Sequence, residues 1–185
     1  MKIAQRAVRA QPFHAMSIGA RARELESRGI RIAKLSLGEP SFGAPPGVHE
    51  AMRATMDGRA LPYTPAAGLP ALRRAVAGLY QDRHGVDVDP RRVLITAGAS
   101  AGLLLATALT TEAGDDVVMA DPCYPCNREL VDTFGGRVVL APTTPAARYQ
   151  LDLATTLAAW TERTSAVQVA TPSNPTGSTI PFPEL

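Results

Sequence analysis

Lysine is nearly absent: Lys2 and Lys34 are the only two in 185 residues, although Lys and Arg together number 19. Chemistry that needs a lysine amine must use one of those two or a lysine from outside this sequence. Histidine is also scarce, and none of His14, His49 and His84 lies in the second half of the chain. The two cysteines, Cys123 and Cys126, form a C-x-x-C within ADPCYPCNREL. With no second pair and no later histidine, a four-ligand zinc site would have to borrow ligands, so no metal is expected. A thioredoxin-type dithiol sits near the start of a chain after one strand, whereas this pair lies mid-chain after at least two, which argues against a redox site. The N-terminal stretch MKIAQRAVRAQPFHAMSIGARARELE carries no uninterrupted apolar run of secretory length, and no later segment reaches membrane-spanning length. No membrane partner and a cytoplasmic address are expected. Aromatics make up 5% of residues and the formal charge is only +2, with arginines scattered and no basic run interleaved with aromatics, so nucleic acid is not an expected partner.

What is present is an ordinary globular composition, 45% hydrophobic and 19% charged, in a chain long enough for one domain with its own core. The apolar periodicity predicts helices over 14–29, 45–56, 69–85, 100–111, 127–134 and 151–162, with Pro46 opening one and Gly85 closing another. Short β-branched runs predict strands over 31–38, 92–97, 116–121, 136–142 and 165–172. Strands alternating with helices at this spacing imply an α/β fold, a largely parallel sheet with helices on both faces. Ligands of such sheets bind beyond the carboxyl ends of the strands, which directs attention to AGAS, DPCYPCN and TPSNPTG.

The stretch VLITAGASAG, residues 93–102, supports three readings. Gly98, Ser100 and Gly102 match the G-x-S-x-G of a serine hydrolase, with Ser100 as nucleophile, but every histidine precedes Ser100, against that fold's order. Alternatively the small residues let backbone N–H groups at a helix start cradle an anion such as a phosphate. Or they simply permit tight strand-to-helix packing. No Walker lysine follows and the spacing is not G-x-G-x-x-G, so a nucleotide loop is disfavoured.

SLGEPSF (36–42), YTPAAGLPALRRAVA (63–77), ITAGAS (95–100), DPCYPCNR (121–128) and SNPTG (173–177), in this order, resemble the class I, fold type I pyridoxal-phosphate-dependent aminotransferases over about residues 14–185. The resemblance implies pyridoxal 5'-phosphate as cofactor, an amino acid and a 2-oxo acid as substrates, and a homodimer. It places Ala99 and Ser100 on the cofactor phosphate, Tyr124 against the pyridine ring, and Asn174 on the ring's phenolic oxygen and near the substrate. Tyr63 would reach the phosphate of a partner subunit, and Gly38 would lie against the substrate carboxylate, where a Cβ would intrude. Asn174–Pro175 is expected to be cis. The domain division implied is an N-terminal arm and part of a small domain over 1–44, then an incomplete cofactor-binding large domain over 45–185. No catalytic residue is assigned, because the family's Schiff-base lysine follows SNPTG and neither Lys2 nor Lys34 matches it. The chain is accordingly expected to be a truncated N-terminal half, inactive alone. A non-catalytic remnant, a fragment complemented by another chain, a lyase or decarboxylase using the same cofactor, and a hydrolase using Ser100 are the alternatives.

Overall fold

In the structure, a computed structural model that describes residues 2–185, the elements in chain order are α1 (Gln5–Arg9), α2 (His14–Ser27), α3 (Pro46–Thr55), α4 (Pro70–His84), α5 (Gly98–Thr110), β1 (Asp116–Asp121), α6 (Pro125–Thr133), β2 (Arg137–Pro142), α7 (Leu153–Ala159) and β3 (Thr164–Gln168). Short 3-10 turns lie at Pro90–Arg92 and Phe182–Glu184. The chain divides into two units: residues up to Ser17 together with Gly98–Leu185, and Ile18–Ala97.

The first unit holds the sheet. Its order is β2-β1-β3, and both pairings are parallel, Val118 facing Val139 on one side and Val167 on the other. A central parallel strand is buried on both faces, which explains the unbroken apolar run of β1. Val117 and Met119 pack with Val131 of α6 on one face, while Val118 packs with Ala141 and Leu151 on the other, where Ala159 of α7 also sits. Helices thus cover both faces, as the alternation implied. Local sequence sets the helix starts: Pro125 occupies the first turn of α6, and the Asp152 carboxylate caps α7 by accepting from the Thr155 N–H at 2.6 Å.

The base of the sheet is tied by a charged cluster. The side chain of Asp116 has no solvent exposure and accepts from Arg137 Nε at 2.8 Å, Arg137 Nη2 at 2.7 Å and the Thr161 hydroxyl at 2.6 Å. It thereby links β1, β2 and the turn before β3. These partners, Arg137 first and Thr161 next, hold the Asp116 carboxyl down at about 2.

The second unit is helical, holding α3, α4 and the part of α2 from Ile18 onward. Pro70 opens α4, and Gly85 closes it in the left-handed region at φ 65°, its N–H donating to the Gln81 carbonyl at 2.9 Å while the Val86 N–H donates to the Tyr80 carbonyl at 3.4 Å. Two expected strands are absent. Arg92 ends the 3-10 turn, and residues 93–96 form no strand: the Ile95 N–H donates to the Ala67 carbonyl at 3.1 Å, and Arg73 Nε donates to the Val93 carbonyl at 2.7 Å. Residues 31–38 form no strand either, and Leu35 is almost fully exposed, so the apolar positions there have no sheet face to cover. AGAS therefore follows an irregular connector and not a strand.

Candidate functional site

At the carboxyl ends of β1 and β3 the chain opens a cleft lined by Tyr124, Asn127, Gln150, Gln168, Ser173 and Asn174, among others. Loops leaving parallel strands in this direction are where α/β sheets place ligands. Two of the expected site residues, Tyr124 and Asn174, are thus brought to one cleft by elements far apart in sequence. Tyr124 sits immediately before α6 with φ −66° and ψ 123°, half-buried, its ring meeting Phe13 edge-on at 5.8 Å and 74°. Hydrogen bonding with the Cys126 thiol, then burial, raises its hydroxyl above the ordinary tyrosine range, so it stays protonated at neutral pH. Cys123 also lines the cleft, and burial raises its thiol too. Both cysteines are free thiols.

Asn174 is carried by a tight turn. The Ser173 N–H donates to the Ser178 carbonyl at 2.8 Å, and the Gly177 N–H donates back to the Ser173 carbonyl at 2.7 Å. The Thr176 and Ser178 hydroxyls pair at 2.7 Å, and Asn174–Pro175 is cis, as are Asp121–Pro122 and Thr171–Pro172. The cleft thus offers an aromatic ring from Tyr124 and, from Asn174, a side-chain amide that can both donate and accept.

Ala99 and Ser100 are placed differently. They are the second and third residues of α5, exposed, in the same unit as the cleft but outside its lining. Their N–H groups belong to a first helical turn, where no intrahelical acceptor exists. Tyr63 and Gly38 lie in the other unit. Tyr63 is fully exposed, and a Cβ built at Gly38 meets nothing within 4 Å, so no protein atom of this chain demands glycine there. Lys34 is paired with Glu26 at 2.8 Å. Among the described residues no group of three or more His, Cys, Asp or Glu could hold a metal ion, and no helix is long and apolar enough to cross a membrane. Gln150 and Gln168 line the cleft, and Phe13 meets the Tyr124 ring, without any sequence motif announcing them; Asn127, also in the lining, closes the DPCYPCN stretch.

A parallel sheet with an aromatic ring and a side-chain amide at its carboxyl rim defines an α/β protein with a candidate ligand cleft at the strand ends. Comparison with known proteins makes this specific. The family Aminotransferase class I and II matches residues 30–185, and the chain belongs to that family. It is 42% identical over 174 residues to a valine–pyruvate aminotransferase of Mycobacterium tuberculosis, a match covering 94% of this chain and 45% of that protein. An aspartate/prephenate aminotransferase of Thermus thermophilus is 33% identical over 92% of this chain and 44% of its own length. Among solved structures, an aminotransferase from Mycobacterium tuberculosis superposes with a TM-score of 0.92 at 41% identity, covering all of this chain and 47% of that one. The Thermus thermophilus aspartate aminotransferase with maleate gives 0.93 at 31%, over 99% of this chain and 48% of that one. The chain spans about half the length of the relatives it matches. The hydrolase and lyase alternatives find no support among these relatives.

Proposed function

We propose that this chain contributes the cofactor-facing half of a pyridoxal 5'-phosphate site that transfers an amino group between an amino acid and a 2-oxo acid. The single observation that carries the reading is that Tyr124 and Asn174, separated by 50 residues, line one cleft at the carboxyl ends of two adjacent parallel strands. In that cleft the Tyr124 ring stacks on the pyridine ring, and the Asn174 amide donates to the phenolic oxygen. Ala99 and Ser100 offer an N–H and a hydroxyl to the phosphate at the start of α5, where the helix dipole favours an anion. Gly38 leaves room for a substrate carboxylate, and the fully exposed Tyr63 is free to reach the phosphate of a second subunit in a homodimer. When bound, the cofactor supplies the electron sink for the substrate's α-carbon; the protein supplies orientation and hydrogen bonds. Residues 1–44 act as an arm with part of a small domain, and 45–185 as part of the cofactor domain.

The test is equilibrium dialysis of the full chain against pyridoxal 5'-phosphate and against pyridoxal. The phosphate form should bind more tightly. Tyr124→Ala should weaken it roughly two- to tenfold, the range expected for one stacked ring, and Asn174→Ala should weaken it similarly. Equal affinity in both variants and the parent, or no preference for the phosphate, would overturn the reading.

A further inference from the structure

We propose that Gln150 is a positioning residue that fixes the Ser173–Ser178 turn and so aims Asn174 into the cleft; this rests on the reading of Asn174 as the cofactor-facing amide. Gln150 is 5% exposed and belongs to no motif. Its Nε2 donates to the Ser178 carbonyl at 2.7 Å, with the Ser178 hydroxyl at 3.3 Å and the Ala170 carbonyl at 3.4 Å. The Ser178 carbonyl is the same atom that accepts the Ser173 N–H at 2.8 Å. One side chain therefore grips both limbs of the loop: Ala170, where the chain leaves β3, and Ser178, where the turn closes. Ser173 and Asn174 hang between those anchors and line the cleft beside Gln150 itself.

The segment before Gln150 is built to deliver it. Arg148 and Tyr149 have φ 55° and 54°, a conformation that bulky L side chains avoid. Such geometry persists only where surrounding contacts over-determine it. Here the Tyr149 N–H donates to the Thr144 carbonyl at 2.9 Å, the Arg148 N–H to the Pro145 carbonyl at 3.0 Å, and the Gln150 N–H to the Ala147 carbonyl at 3.0 Å. Arg148 Nη2 is further tied to Glu184 at 2.7 Å. A plain extended connection between β2 and α7 would need none of this. What it achieves is an amide held inside the protein with its donors turned to the Asn174 turn.

The experiment is amide hydrogen exchange by NMR on the full chain, reading the Ser173 and Gly177 N–H groups against Val118 in β1 as internal reference. In the parent chain the Gln150 side-chain NH2 should exchange far more slowly than a free amide; exchange at the free rate would overturn the proposal without any variant. Gln150→Met removes the donors at similar size and should speed Ser173 and Gly177 roughly five- to tenfold relative to Val118, the size expected for one net hydrogen bond. Gln150→Glu should match the methionine variant at neutral pH, where a carboxylate faces carbonyl oxygens, and recover protection as the new carboxyl is protonated and becomes a donor. A space-filling role predicts unchanged ratios and no pH dependence, and that result would also overturn it. Pyridoxal 5'-phosphate is then added to the parent. If the Asn174 side-chain amide signal fails to shift while the Gln150 effects hold, the cofactor reading fails and the positioning role stands. If the signal shifts equally in parent and methionine variant, the positioning role fails and the cofactor reading stands.

Discussion

Gly68 and Gly85 offer a controlled comparison within one unit. Both are left-handed, at φ 95° and 65°, and both therefore charge an alanine the cost of that conformation, about 1–2 kcal/mol. Their surroundings differ. A Cβ at Gly85 meets nothing within 4 Å, whereas one at Gly68 would lie 2.4 Å from Ile95 Cγ1 and 2.5 Å from Ile95 Cβ. Those atoms sit close to the backbone, on the segment whose N–H bonds Ala67, so Ile95 cannot swing its side chain away without breaking that bond. Overpacking of this kind costs about 1–3 kcal/mol more. Gly68→Ala should thus destabilise by roughly 2–5 kcal/mol in total, and Gly85→Ala by about 1–2. Urea unfolding followed by far-ultraviolet circular dichroism reads the difference; with a slope of about 1–3 kcal/mol per molar, the Gly68 midpoint should fall on the order of 1 M below that of the Gly85 variant. Equal midpoints would refute the contact between Gly68 and Ile95. The comparison also supplies a steric reason for Gly68, the glycine of YTPAAGLPALRRAVA that follows Tyr63 by five residues.

Asp116 sets an acid limit: its carboxyl lies near 2 in the folded chain against an ordinary 3.8, so its stabilisation is complete above the ordinary value and disappears as pH falls through about 2. Replacing it (Asp116→Asn) should flatten the acid limb of the melting temperature between those values, and an unchanged limb would exclude Asp116 as its source. A fluorophosphonate probe should leave Ser100 unmodified; stoichiometric labelling would restore a nucleophilic serine. Borohydride treatment after pyridoxal 5'-phosphate should tag Lys34, already paired with Glu26, no more than a denatured control, and selective tagging would refute that.

The sheet was readable because its signal is chemical and local. Val117, Val118 and Met119 are buried on alternating faces, so the middle of β1 has to be apolar, with Asp116 and Asp121 at its two ends. The runs over 31–38 and 92–97 look the same in composition, yet strand formation requires a neighbour to complete the ladder. Residues 92–97 spend their backbone groups on Ala67 and the Arg73 guanidinium, and no composition reveals that choice. Propensity predicted a strand there, and the backbone forms none.

The cleft divides along a similar line. Tyr124 and Asn174 were found because each belongs to a short word, DPCYP or SNPTG, whose meaning comes from resemblance; physics alone left Ser100 with three readings. Gln150 had no such word. Its contacts to Ala170 and Ser178 span 20 and 28 residues, and the bend that makes them possible uses positive φ at Arg148 and Tyr149, residue types that advertise neither a turn nor a left-handed backbone. Glycine at Gly68 or Gly85 marks its own unusual conformation in the sequence, because no other residue adopts it cheaply. An arginine and a tyrosine held there by neighbouring carbonyls leave no such mark. The residues that present chemistry to the cleft are therefore legible one by one, while the residue that holds one of them in place becomes visible only once the backbone is traced through the fold.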